Sequence, residues 1–206
     1  MKKPVILASS SPRRRELLEK AGLKFTVDSS ETDEKLIYTA DPAELARQIS
    51  LMKASSAVPR HPGSIIIAAD TFGVLDGSLL GKPGDAAHAR EMLALMSGKC
   101  HEVVTGFTII DADSRKTVSH VVKTRVHFKA LSKAQIEKYV GTGEPLGKAG
   151  AYAIQGKGAD LVEKIEGDYY NVIGLPVRAL ANELIKFGID LPNASYFDCA
   201  ADSPAR

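Results

Sequence analysis

The sequence predicts a mixed α/β domain, one β-sheet flanked by helices. Strand-like and helix-like segments alternate at its start, and the run SIIIAAD at 64–70 reads as a continuous apolar strand. Two long strand-like segments, near 102–111 and 117–128, then follow one another with only polar residues between them.

Each element has its own signal. Val5-Ile6-Leu7-Ala8 is a short apolar strand, and Ser11-Pro12 reads as a helix cap followed by proline at the first helical position. Leu17, Leu18 and Ala21 form one apolar face before Gly22 stops that helix, and Phe25-Thr26-Val27 is a second short strand. Asp41-Pro42-Ala43-Glu44 has capping-box spacing, with Glu44 expected to reach back, and opens a helix to about Val58. Strand 64–70 is expected to end on Asp70. Asp76-Gly77 marks a hairpin between FGVL and SLLG. Asp85 caps a helix with Ala89, Met92, Leu93 and Met96 on one side; further helices are expected near 132–141 and 176–187, around a glycine-rich segment at 143–176. One domain over 1–190 accounts for the chain, and the small, polar residues 191–206 are expected to form a disordered tail.

Composition excludes several function classes. Net charge is +2 and aromatics are 6%, so neither a basic nucleic-acid face with interleaved aromatics nor an anionic-membrane binder is indicated. The apolar start at residues 4–8 is too short for a signal peptide core or a membrane span, and Cys100 and Cys199 form no disulfide framework, which fits a reducing cytoplasm. Any affinity for anions is therefore local.

The local candidates begin with the opening stretch ILASSSPRRRELLEKAG, residues 6–22. On a helix Arg13, Arg14 and Arg15 point about 100° apart and cannot share one role. At least one should face the strand-to-helix loop, with Ser9 and its neighbours, where helix amides favour an anion; Arg13 is the one expected to do so. Asp70 in AADT puts a carboxylate, followed by Thr71, at the end of an apolar strand, where α/β sites gather. An ordinary aspartate has a pKa of about 3.9 and is a weak base toward bulk water unless a divalent ion acidifies that water. The acidic stretch SETDEKL supplies Glu34, which with Asp70 would suffice for magnesium. Lys82, Lys99 and Lys148 sit in turn-like contexts, whereas Lys53 lies within a helix among apolar or small neighbours. The familiar alternatives fail. GSLLGKPG lacks Walker spacing, GKGAD lacks the third glycine of a dinucleotide fingerprint, and the five histidines are too scattered for zinc.

Read in order, LASSSPRRRELL, AADT, LGKP, MSGKCHEVVTG and GEPLGKAGAYAIQGKGADLVEKIEGDYYNVIGLP closely resemble the Maf family of nucleoside triphosphate pyrophosphatases, over about residues 4–188. The resemblance implies a mixed sheet with a central cleft, like that of the inosine triphosphate pyrophosphatases. It also implies hydrolysis between the α- and β-phosphates with a divalent cation, Mg2+ or Mn2+. By position, Asp70 matches the family's acidic proton acceptor and Glu34 the acidic loop position near the metal. Arg13, Thr71 and Gln155 match positions tied to substrate choice, and Lys53 and Lys82 match basic positions near phosphates or base. The pattern at Arg13, Lys53 and Gln155 resembles the subgroup acting on dTTP and UTP. A 7-methyl-GTP- or CTP-type pyrophosphatase and a non-catalytic nucleotide-binding regulator of septum formation are the alternatives. The implied partner is a nucleoside triphosphate, and the resemblance favours a homodimer. Phe72-Gly73 departs from the family pattern of two β-branched residues, and glycine there is expected to loosen the strand by about 0.5–1 kcal/mol.

Overall fold

The computed structural model describes residues 3–28 and 41–197. Seven strands form one mixed sheet in the order β2-β1-β3-β5-β6-β7, with β4 paired to β3. In chain order these are β1 (Val5–Leu7), β2 (Thr26–Val27), β3 (Ile65–Leu75), β4 (Ser78–Leu80), β5 (Cys100–Asp111), β6 (Thr117–Phe128) and β7 (Val162–Glu166). The helices are α1 (Pro12–Lys20), α2 (Pro42–Ala57), α3 (Ala86–Met96), α4 (Lys133–Val140), α5 (Tyr169–Ile173) and α6 (Val177–Leu184). β1 runs parallel to β2 and β3, and every other pairing is antiparallel.

The apolar run in β3 is continuous because both of its faces are covered. Ile65, Ile67 and Ala69 pack into the main core with Leu17 and Leu18 of α1, Leu93 of α3, Ile136 of α4 and Leu180 of α6. Ile66 and Ala68 point to the opposite face and meet Ala54 and Ala57 of α2. Successive side chains alternate between the two faces, so a strand sandwiched between helix layers has no polar positions to spare.

β3 does not end at Asp70 as expected. Thr71, Phe72, Val74 and Leu75 are strand-formers, and β5 pairs with β3 as far as Val74↔Glu102. Gly73 leaves the strand intact: it pairs with Leu80 across the hairpin, and a Cβ there would lie 3.2 Å from the Leu80 side chain. The hairpin turn has φ of 51° at Asp76 and 78° at Gly77, the doubly left-handed pair that suits strand twist.

One capping assignment changes. The Asp41 carboxylate caps α2 by accepting from the Ala43 N–H, but Glu44 does not reach back; it accepts from Arg47 and Gln48, one turn ahead. The reciprocal capping box forms instead on α4, between Ser132 and Gln135. The packed chain also runs past the boundary expected at 190. Leu191 and Phe197 are buried, and the Phe197 ring meets that of Tyr170 at 4.5 Å. Isolated apolar residues in an aperiodic stretch thus find places in the core. No described helix is long and apolar enough to cross a membrane.

Candidate functional site

Pairing of β3 with β1 stops at Leu7↔Ile67, and pairing with β4 starts at Gly73↔Leu80. Between those points, among the described residues, this edge of β3 has no neighbouring strand. A cleft of about 850 Å³ opens there, lined by the Ala8–Ser11 loop and the first residues of α1 to Arg14, Asp70–Gly73, Leu80–Lys82, Gly147–Gly150 and Val172–Gly174. Asp70 stands just beyond the carboxyl end of the parallel strand β1, where open α/β sheets gather ligands.

The alternation of β3 side chains sends its two polar residues to opposite faces. Asp70 turns toward α2, where the Lys53 ammonium donates to its Oδ1 at 2.6 Å. Both partners are mostly buried, with side chains 12% (Asp70) and 18% (Lys53) exposed, so this charge pair is screened less than a surface one. Thr71 turns the other way, sharing a hydrogen bond with the Thr105 hydroxyl at 2.9 Å and accepting from Arg14 at 3.1 Å.

The three arginines separate as their helical spacing requires. Arg15 is exposed, Arg13 is half-buried on the cleft wall, and Arg14 is buried. The Arg14 guanidinium donates to the Gly174 carbonyl at 2.9 Å and to the Ser9 hydroxyl at 3.2 Å as well as to Thr71. It thereby ties the serine loop, β3 and the end of α5 together, a use that needs arginine's planar fork of donors. Ser9 also accepts from the Ser11 N–H, which shapes the loop ahead of α1.

Ser9, Arg13, Lys53, Asp70, Thr71 and Lys82 all line this cleft. Gln155 is exposed and lies outside the lining, although its neighbour Ile154 is part of it. Glu34 lies outside the described residues, and among those described no group of three or more potential metal-ligating side chains occurs. The sequence reading missed four cleft residues. Arg14 was passed over for Arg13, Lys148 was one of three look-alike lysines, and His101 and Tyr152 were not singled out within MSGKCHEVVTG and GKAGAY, the stretches that contain three of the four.

His101 and Tyr152 line the cleft together. His101 Nε2 lies 3.0 Å from the Tyr152 hydroxyl, and both rings meet Phe128 edge to face. Burial, together with the nearby His127, lowers the His101 pKa to about 4, so the imidazole is neutral at pH 7. The unfolded chain binds a proton at about 6.5 that the folded chain refuses until about pH 4. Stability is therefore fully present above pH 6.5 and falls as the pH drops toward 4, by up to about 3 kcal/mol from this residue. Urea unfolding at pH 7 and pH 5 should show a loss in the wild type that is distinctly smaller in His101→Gln.

A family model described as Maf-like protein matches residues 4–187. The chain belongs to the Maf family. Among Maf relatives, a Symbiobacterium thermophilum protein named dTTP/UTP pyrophosphatase is 48% identical, covering 89% of this chain and 94% of that protein. A Bacillus cytotoxicus protein of the same name is also 48% identical, over 90% of this chain and 96% of its own length. In fold, the Maf chain is similar to a HAM1 protein from Coxiella burnetii, with a TM-score of 0.52 at 12% identity, covering 90% of this chain and all of that one. At that identity the likeness speaks for the shared mixed-sheet architecture alone. The Maf motifs fall on the cleft: SSSPRR, the Asp70-Thr71 of AADT, the Leu80–Lys82 of LGKP and GKAG all line it.

Proposed function

We propose that this chain hydrolyses dTTP and UTP to the nucleoside monophosphate and pyrophosphate. The observation that carries the reading is the mostly buried Asp70–Lys53 pair, 2.6 Å apart, in a cleft that also holds Arg13, Lys82 and Lys148. Hydrolysis at the α-phosphorus needs negative charge neutralised on the departing pyrophosphate and a water held in line with it. Arg13, Lys82 and the Ser9 loop grip the phosphates. Asp70 accepts the proton of the attacking water, and Lys53, bound to its Oδ1, holds the carboxylate in place. The name carried by relatives at 48% identity supports a pyrimidine substrate. Gln155 is the residue suited to its base, because an amide offers a donor and an acceptor to the N3–H and carbonyl edge of uracil or thymine. Thr71 contributes through the seat it shares with Arg14.

A divalent cation fits this donor set. Lys53 takes Asp70 Oδ1, and a hard cation such as Mg2+ or Mn2+ needs only one or two carboxylates besides water and substrate phosphate. Asp70 Oδ2 and Glu34 are the residues that would hold it. When bound, such an ion acidifies water and offsets phosphate charge. A cytoplasmic location and a homodimer belong to the same reading, on the family likeness alone.

The test is a substrate panel. Incubation with UTP, dTTP, CTP and 7-methyl-GTP, each with Mg2+ or Mn2+, should release pyrophosphate fastest from UTP and dTTP. No metal-dependent release from any of them would end the proposal.

A further inference from the structure

Gln155 sits in a turn whose backbone is held by two side chains that do not line the cleft, Tyr139 and Glu144. The Tyr139 hydroxyl donates to Glu144 Oε1 at 2.8 Å and accepts from the Ala153 N–H at 3.2 Å. The same Oε1 accepts from the Gly158 N–H at 2.9 Å, and Oε2 accepts from the Lys157 N–H at 3.0 Å. The turn closes on itself through the Gly156 N–H and the Ala153 carbonyl, 3.1 Å apart. Backbone on both sides of Gln155 is thus bound to one carboxylate–phenol pair.

The glycines of this segment record how closely the pair fits. A Cβ on Gly156 would run into the Glu144 carboxylate, and one on Gly158 would lie 2.7 Å from the Tyr139 hydroxyl oxygen. No side chain can be added at either position without moving the pair or the turn. Burial opposes the charge on Glu144, but the bonds from the Gly158 N–H, the Tyr139 hydroxyl and the Lys157 N–H outweigh it, and the carboxyl sits below its ordinary pKa. Burial, reinforced by the bond to Glu144, raises the Tyr139 hydroxyl, which remains a donor. The anchor is therefore a charge-assisted one.

We infer that Glu144, with Tyr139, is a positioning residue for substrate selection, holding the Ala153–Gly158 turn so that Ile154 lines the cleft and Gln155 stands at its rim. The inference rests on the reading of Gln155 as the base-recognising residue. Neither Glu144 nor Tyr139 lines the cleft. Their effect on the base runs through the turn.

The test compares kcat/KM for UTP and CTP in the wild type, Glu144→Gln, Gln155→Ala and the double variant, each checked for folding by thermal melt. The preference for UTP should fall roughly tenfold or more in each single variant and no further in the double, because residues acting through one contact do not add. The loss should fall on KM, with kcat at saturating UTP changed less than about threefold, the signature of lost binding rather than lost chemistry. An unchanged preference in Glu144→Gln, or independent losses that multiply in the double variant, would overturn the inference. Should Glu144→Gln fail to fold, Tyr139→Phe removes only the hydroxyl and must lower the preference in the same direction; no change there also overturns it. An unchanged preference in Gln155→Ala would overturn the inference together with the base-reading role. A wild type that releases no pyrophosphate is a separate failure, that of the proposed function.

Discussion

Asp70→Asn is expected to lower kcat for UTP roughly 10²- to 10⁴-fold, the contribution typical of a positioned general base. Asparagine keeps the shape of aspartate and retains an oxygen for the Lys53 ammonium, so the 2.6 Å contact survives as a weaker neutral–charged bond. What is lost is the carboxylate's ability to take a proton from water. Affinity for the nucleotide should hold within about tenfold in the absence of divalent cation, because removing one negative charge beside a triphosphate relieves repulsion rather than creating it. Pyrophosphate release gives the first quantity and titration calorimetry the second. Equal losses in turnover and affinity would mean that Asp70 grips the substrate rather than activating water. A wild type that binds UTP with no turnover would make the chain a nucleotide-binding regulator.

How far the site could be read from the sequence depended on whether each signal was local. The Asp85 cap, the Pro12 start of α1 and the Asp76-Gly77 hairpin depend on neighbours within a few residues, and each forms as expected. Asp70 and Lys53 were singled out by polarity in apolar surroundings, and the fold brings them together because α2 lies on the face to which the even-numbered residues of β3 point. Arg14 was not legible as the buried arginine, because its seat is completed by the carbonyl of Gly174, far along the chain. The Glu44 capping box failed for a different reason. The pattern was present, but Arg47 and Gln48 lie within reach on the next turn and offer the carboxylate charged and amide donors. The hold of Glu144 and Tyr139 on the Gln155 turn was hidden for the same reason as Arg14, since a run of glycines records that something is close without saying what.

Gly106→Ala is expected to be the most damaging single methyl in the chain, lowering unfolding free energy by about 3 kcal/mol or more. Gly106 lies on β5 directly opposite Asp70 and faces α2. A Cβ there would collide with the backbone of Ala46 and come within 2.6 Å of the Arg47 amide nitrogen. Backbone cannot rotate away as a side chain can, so α2 as a whole must lift from the sheet. Its packing against β3 and β5 rests on small buried residues, Ala46, Ser50 and Ala54, which permit the close approach and leave no slack to absorb a shift. The hydrogen bond shared by the Ser50 and Thr108 hydroxyls, at 2.8 Å, would lengthen along with it. Lys53 rides on the same helix, so the Asp70 contact is disturbed too, and turnover should fall further than the loss of folded protein explains. Urea unfolding should show a lower midpoint with an unchanged slope. Gly84→Ala is the matched control: a Cβ there meets nothing within 4 Å and its φ is not positive, so its midpoint should stay near the wild-type value. Equal midpoints for the two variants would mean that α2 does not sit as close to the sheet as the structure has it. The Asp70–Lys53 pair depends on that closeness, because a lysine one helix layer farther out could not reach a carboxylate in the middle of β3.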